Sequence, residues 1–108
     1  MSLLAQREAE RAAVRTALYE TTRTRLRAAL HQVAPGHAFW LFGSLVDPRR
    51  FNPKSDVDLA FTTLPAGMTE FALAGELQER LGRSVDVVDF EHSRLRSKIE
   101  REGERWIA

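Results

Sequence analysis

Ser55-Asp56-Val57-Asp58-Leu59-Ala60-Phe61 sets two carboxylates on either side of a valine at the head of an apolar run. Residues two apart on a strand point to the same face, roughly 6–7 Å from each other. Taken alone, an Asp-x-Asp in a strand is more often a solvent-facing pair or a strand-end turn, so its meaning depends on its surroundings. Upstream, Ala38-Phe39-Trp40-Leu41-Phe42 is a short aromatic-rich run that predicts a buried strand, and Gly43-Ser44 breaks it. Downstream, Val85-Asp86-Val87-Val88-Asp89-Phe90 predicts a third strand. The second strand runs over Val57 to Thr63.

Helical patterns fill the spaces between and around these strands. Leu3 to Ala34 is rich in Ala, Arg, Glu and Leu, with apolar residues at Val14, Leu18, Leu26, Leu30 and Val33. That spacing predicts either one long helix or two helices broken at Thr21-Thr22-Arg23-Thr24, ended in both cases by Pro35-Gly36. Asp47 to Ser55 reads as a loop. Thr69 is placed to cap a helix carrying Leu73, Leu77 and Leu81, with Gly82 at its C-terminal end. Ser93 is placed to cap a last helix through Leu95 and Ile99, closed by Gly103, before a short end at Trp106-Ile107. The order helix, strand, strand, helix, strand, helix predicts an α/β (α+β) sandwich around a small sheet. Mixed strand direction follows because no long crossover joins the first two strands.

Four aspartates therefore stand in or at the head of apolar strand runs, and three of them can share one face. Asp86 and Asp89 are an odd number of positions apart and face opposite sides of the sheet, so only one can join Asp56 and Asp58. Asp86 is the preferred member, although both also read as outward-facing residues of a half-buried strand. Three carboxylates on one face repel unless a cation or a proton compensates. Two-metal sites place their ions about 3.5–4 Å apart, a distance such a set can serve. Oxygen ligands with no cysteine or histidine nearby favour Mg²⁺ or Mn²⁺ over zinc. Gly43-Ser44, directly after a buried strand, lets backbone approach a ligand and offers N–H groups to phosphate. A plain strand-to-helix turn with Ser44 as N-cap would read the same way.

Composition narrows the classes. The 108 residues suit one domain with one core, and the 44% hydrophobic content is ordinary for a globular protein. No apolar run approaches the ~20 residues of a membrane span, and the N-terminus turns charged too early for a signal peptide. With no cysteine there are no disulfides and no thiol chemistry, which fits a cytoplasmic location. A net charge of +1 gives no global attraction to nucleic acid. Arg7, Arg11 and Arg15 recur every four residues as a basic stripe, followed by Arg23 and Arg27. The stripe reads as a solvated face paired with Glu8 and Glu10, or as a docking surface for a partner. His31, His37 and His92 have no metal-ligand spacing and are taken as structural.

Together, Leu41-Phe42-Gly43-Ser44, the Asp56-Val57-Asp58 strand and Val85-Asp86-Val87-Val88-Asp89 resemble the minimal nucleotidyltransferases of the DNA polymerase β-like superfamily. The resemblance runs from about Phe39 to Trp106 and includes the Ile99 to Ile107 tail. It implies a polymerase β-like nucleotidyltransferase fold with a long N-terminal helical segment. One domain, 1–108, would comprise a helical segment at 1–34 and a catalytic core at 37–108. It implies Gly43 and Ser44 on the nucleotide triphosphate, and Asp56, Asp58 and Asp86 as catalytic ligands of two Mg²⁺ ions, Mn²⁺ also being suited. Arg50 and Lys54 are candidate nucleotide-binding cations. Eleven residues separate Ser44 from Asp56, one more than the family's usual spacing, and Val46-Asp47-Pro48-Arg49 replaces its usual Ala-Arg-Gly.

The activity implied is transfer of a nucleotidyl group, AMP from ATP or another NTP, to a hydroxyl on a partner. The chain has little room for its own acceptor domain. The resemblance points to a helical HEPN-type toxin as acceptor and to this chain as its antitoxin. Two alternatives are an inactive module that neutralises a partner by contact, and a small-molecule enzyme of the antibiotic-modifying kind. The latter would need a second, helical acceptor domain. Polymerisation of nucleic acid is disfavoured because no thumb-like or basic grip region remains, while homo-oligomerisation stays open.

Overall fold

Thirty-one residues, Leu3–Val33, form one uninterrupted helix, α1. The threonine run does not break it. The hydroxyls of Thr16 and Thr22 donate to the carbonyls of Ala12 and Leu18 at 3.0 and 2.7 Å, which satisfies them inside the helix instead of in a turn. Ser2 caps the start, its Oγ accepting from the Ala5 N–H at 3.1 Å. Only the C-terminal part of α1 is covered, through Thr22, Leu26, Ala29 and Leu30. The computed structural model describes residues 2–108, so the expected bounds 1–34 and 1–108 reach one residue, Met1, outside the described residues.

The strands are β1 (Ala38–Phe42), β2 (Val57–Phe61), β3 (Val85–Asp89) and β4 (Glu104–Ile107), arranged β3-β2-β1-β4. Helix α2 (Glu70–Leu81) crosses from β2 to β3, which are parallel; β1 is antiparallel to both β2 and β4. The sheet is mixed, as the lengths of the connections require. Thr69 caps α2 by accepting from the Ala72 N–H at 3.1 Å, and Gly82 ends it in the left-handed region at φ 63°.

The short end expected at Trp106-Ile107 is part of a fourth strand, β4. Its register with β1, Phe39 opposite Trp106, turns the tryptophan into the core. The last helix, α3 (Arg96–Glu102), differs from the expected one. Its N-cap is Leu95 without a side-chain bond, and Ser93 instead accepts the Leu95 N–H at 3.0 Å in the preceding turn.

Strand parity sorts the sheet into two faces. Phe39, Leu41, Leu59, Phe61 and Trp106 join Leu26, Leu30, Leu73 and Leu77 in the main core, against α1 and α2. Burying each such large side chain stabilises the fold by about 1.5–3 kcal/mol. Ala60, Trp40 and Phe42 point the other way and pack with Phe90 and Ile99 of the α3 side, the Trp40 and Phe90 rings stacked at 5.3 Å. Asp58 and Asp86 share the parity of this second, thinner face. Among the described residues no helix is long and apolar enough to cross a membrane.

Candidate active site

The parallel register of β2 and β3 sets Asp58 directly opposite Asp86, and the antiparallel register of β1 and β2 sets Asp58 opposite Phe42. The chain then leaves β1 through Gly43, at φ 74°, into a 3-10 turn, Gly43–Val46. A Cβ added to Gly43 would lie 3.1 Å from Asp58 Cγ and nearer still to Oδ2. Glycine is therefore required twice over, by the positive φ and by the carboxylate against which the backbone lies. Ser44 does not cap this turn. The N-cap position is Phe42, without a side-chain bond, and the Ser44 carbonyl accepts from the Asp47 N–H at 3.0 Å.

Asp58 is half-buried. Burial, then the neighbouring charges of Asp86 and Asp56, push its carboxyl up to about 6, while Arg50 draws it partly back. Asp56 lies just before β2, and both Asp56 and Asp86 are exposed. Among the described residues, no group of three His, Cys, Asp or Glu side chains is already gathered to hold a metal ion. The three carboxylates thus feel one another's field without converging on a point. The set suits a hard divalent cation in its chemistry. The donors are all oxygen, the central one is half-buried and short of positive charge, and Asp56 and Asp86 have exposed side chains able to turn toward it.

The face opens into a cavity of about 830 Å³. Gly43, Arg50 and Asp58 line one wall; Leu95, Lys98 and Glu102 line the other. Asp47 also borders it, its carboxyl held below the usual range by hydrogen bonds from Arg49, the backbone N–H first. Of the two expected phosphate cations, the structure brings Arg50 to the cavity and leaves Lys54 outside it. Lys54 sits in the turn 52–55, its N–H donating to Asn52 Oδ1 at 2.8 Å. Arg83 fixes that turn by donating to the carbonyls of Asn52, Pro53 and Ser55 at 3.2, 3.3 and 2.6 Å.

Asp89 lies on the opposite parity and accepts from His92 Nδ1 at 2.8 Å, a bond that lowers its carboxyl below the ordinary range. His37 pairs with the Thr63 hydroxyl at 3.0 Å. Both histidines serve local structure.

Sequence reasoning missed two groups of residues. Lys98 and Glu102 reach the cavity from α3 and carry no local signal beyond Lys98 being one of two lysines in the chain. Arg23 is the other. Its guanidinium donates to the Leu45 carbonyl at 2.7 Å and to Glu104 Oε2 at 2.5 Å, and stands 5.1 and 5.2 Å from the Tyr19 and Trp106 ring centres. It ties α1 to the turn after Gly43-Ser44 and to β4, and so positions the turn. Gly103 supports the same corner, because a Cβ there would meet the carbonyls of Ile99 and Leu41 at 2.6 and 2.9 Å.

Residues 26–107 match the family described as "Polymerase beta, Nucleotidyltransferase", a span that holds the cavity and all three carboxylates. A solved structure described as "Crystal structure of the toxin-antitoxin with AMP-PNP" resembles this one with a TM-score of 0.58 and 22% sequence identity. The likeness covers 79% of this chain and 73% of that one, and it is a likeness of fold. Comparison with curated proteins finds no match.

Proposed function

The chain belongs to the polymerase β nucleotidyltransferase family, and on that premise we propose that it is a minimal nucleotidyltransferase acting as an antitoxin. It transfers AMP from ATP to a hydroxyl of a helical HEPN-type toxin, with Mg²⁺ or Mn²⁺ bound. One observation carries this reading: Asp58 faces Asp86 across β2 and β3, against a glycine backbone, at the floor of a cavity bordered by Arg50 and Lys98. The similar solved structure is by its description a toxin-antitoxin complex with a nucleotide analogue, which supports both the nucleotide and the kind of partner.

Asp56, Asp58 and Asp86 would hold the divalent ions, which supply charge neutralisation and acidify the acceptor hydroxyl. The rest of the work falls to the chain's own groups. The Gly43-Ser44 turn offers N–H donors to the triphosphate, and Arg50 neutralises part of its charge. Asp86, exposed and paired in register with Asp58, takes the proton of the attacking hydroxyl. The hydroxyl oxygen bonds to the α-phosphorus as the bond to pyrophosphate breaks, so positioning and electrostatics provide most of the acceleration. Residues 37–108 form the catalytic core and α1 braces it.

The test is ATP-dependent mass gain on a co-expressed toxin partner, by intact-protein mass spectrometry. The Asp56→Ala/Asp58→Ala variant should abolish the gain; a variant that still modifies its partner refutes the mechanism. A second reading is neutralisation by contact alone, without use of the carboxylates. It predicts that the same double variant still neutralises the toxin in full, with no added mass on it in either case.

A further inference from the structure

The N-terminal half of α1 carries a second recess, on the far side of the loop from the carboxylates. Arg7, Arg11, Val14, Arg15, Leu18 and Pro53 border a groove of about 530 Å³. Helical geometry explains the row: residues four apart lie one above another on one face. None of these three arginines enters an ion pair among the described residues, so the expectation that Glu8 and Glu10 neutralise the stripe is not met. Val14, between them, is 66% exposed, and no residue of α1 before Thr22 is buried. Leu18 and Tyr19 pack at the edge of the core, whereas the turns before them have little tertiary packing, and a helical stretch of that kind is only marginally stable in water. Here it presents cations flanking an apolar centre.

We propose that this face docks an acidic amphipathic helix of a partner protein. Such a helix, with Asp or Glu every fourth residue beside a leucine-type stripe, matches both the spacing of the arginines and the apolar strip of Val14, Leu18 and Pro53. A second copy of this chain fits poorly, because a twofold axis across the groove would set the arginine row against its own duplicate. Nucleic acid fits poorly too, since Glu10 borders the groove and the net charge is only +1. Pro53 belongs to the loop 47–55 that carries Arg49 and Arg50 to the cavity, so a docked helix lies one loop away from the carboxylates. Docking here does not depend on the chemistry at Asp56 and Asp58.

Fluorescence anisotropy on the full chain tests this with three probes: a synthetic helical peptide bearing glutamate every fourth residue beside leucine, its lysine counterpart, and a short DNA duplex. The glutamate peptide is expected to bind best, more weakly as salt rises. Its affinity should fall about tenfold or more in the Arg7→Glu/Arg11→Glu/Arg15→Glu variant, the scale of three exposed charge pairs reversed together. These side chains are exposed, so circular dichroism should show the variant folded. The Asp56→Ala/Asp58→Ala variant should bind the peptide like the unaltered chain, which separates loss of docking from loss of catalysis. Equal binding of the lysine peptide, tighter binding of the duplex, unchanged affinity in the triple variant, or a dimer in sedimentation that the triple variant abolishes would each overturn the proposal.

Discussion

Replacing Asp58 with asparagine should stabilise the metal-free protein while abolishing nucleotidyl transfer. The carboxyl of Asp58 is raised from 3.8 to about 6, by burial first and then by Asp86 and Asp56. A raised folded-state value means that the ionised form is disfavoured in the fold, so Asp58 destabilises the protein above about pH 6 and not below about pH 4. Taken at face value the displacement corresponds to about 3 kcal/mol. The side chain is only half-buried and Arg50 stands near, so solvent screening reduces this to about 1 kcal/mol. For a domain of this size that is about 4–8 °C in Tm. The assay is thermal unfolding in chelator near neutral pH and again near pH 4. The variant should melt higher at neutral pH, and the gap should close as Asp58 of the unaltered chain becomes protonated. Adding Mg²⁺ should raise the Tm of the unaltered chain and leave the variant almost unmoved. A variant less stable near neutral pH, or a gap that does not change with pH, would refute the reasoning.

Three other outcomes are expected. Gly43→Ala should lose about 1–2 kcal/mol for the left-handed backbone. It should lose transfer activity well beyond that, because the new methyl group displaces Asp58; near-normal turnover would contradict the close approach. Arg23→Ala should cost about 2–3 kcal/mol for its charged hydrogen bonds. The Glu104 carboxyl is raised by burial but lowered more by Arg23 and Trp106, ending below its ordinary 4.5, so the pair stabilises above that value and the Arg23→Ala deficit should shrink in acid melts. Lys98→Ala should raise the KM for ATP severalfold while Lys54→Ala leaves it unchanged; steady-state kinetics showing the reverse would remove Lys98 from the nucleotide site.

The sheet's first three strands and α2 were readable because each carries its own local signal. Ala38–Phe42 is a closed apolar run, Leu73, Leu77 and Leu81 keep helical spacing, and Thr69 and Gly82 mark both ends of α2. Parity alone separated Asp86 from Asp89, since a strand's alternation does not depend on the rest of the fold. β4 was hidden because Glu104-Arg105-Trp106-Ile107 is short and half charged; only pairing with β1 makes it a strand. Thr21 to Thr24 allowed a break because propensity ignores the Leu18 carbonyl that the Thr22 hydroxyl finds once the helix exists. The cavity's second wall was out of reach for the same reason. Lys98 and Glu102 meet Asp58 only after α3 folds back over the sheet, and nothing within α3 encodes that partner.

The projecting α1 also governs how the molecule moves through solvent. About 46 Å of helix lies within a molecule whose axes, helix included, measure 56, 28 and 20 Å. The radius of gyration, 15.3 Å, exceeds the roughly 13 Å of a sphere-like chain of this length. Such a particle drags more than its mass implies and tumbles about its long axis faster than end over end. A monomer will therefore leave a size-exclusion column ahead of globular standards of equal mass, and light scattering, not elution volume, is the measure by which one copy is told from two.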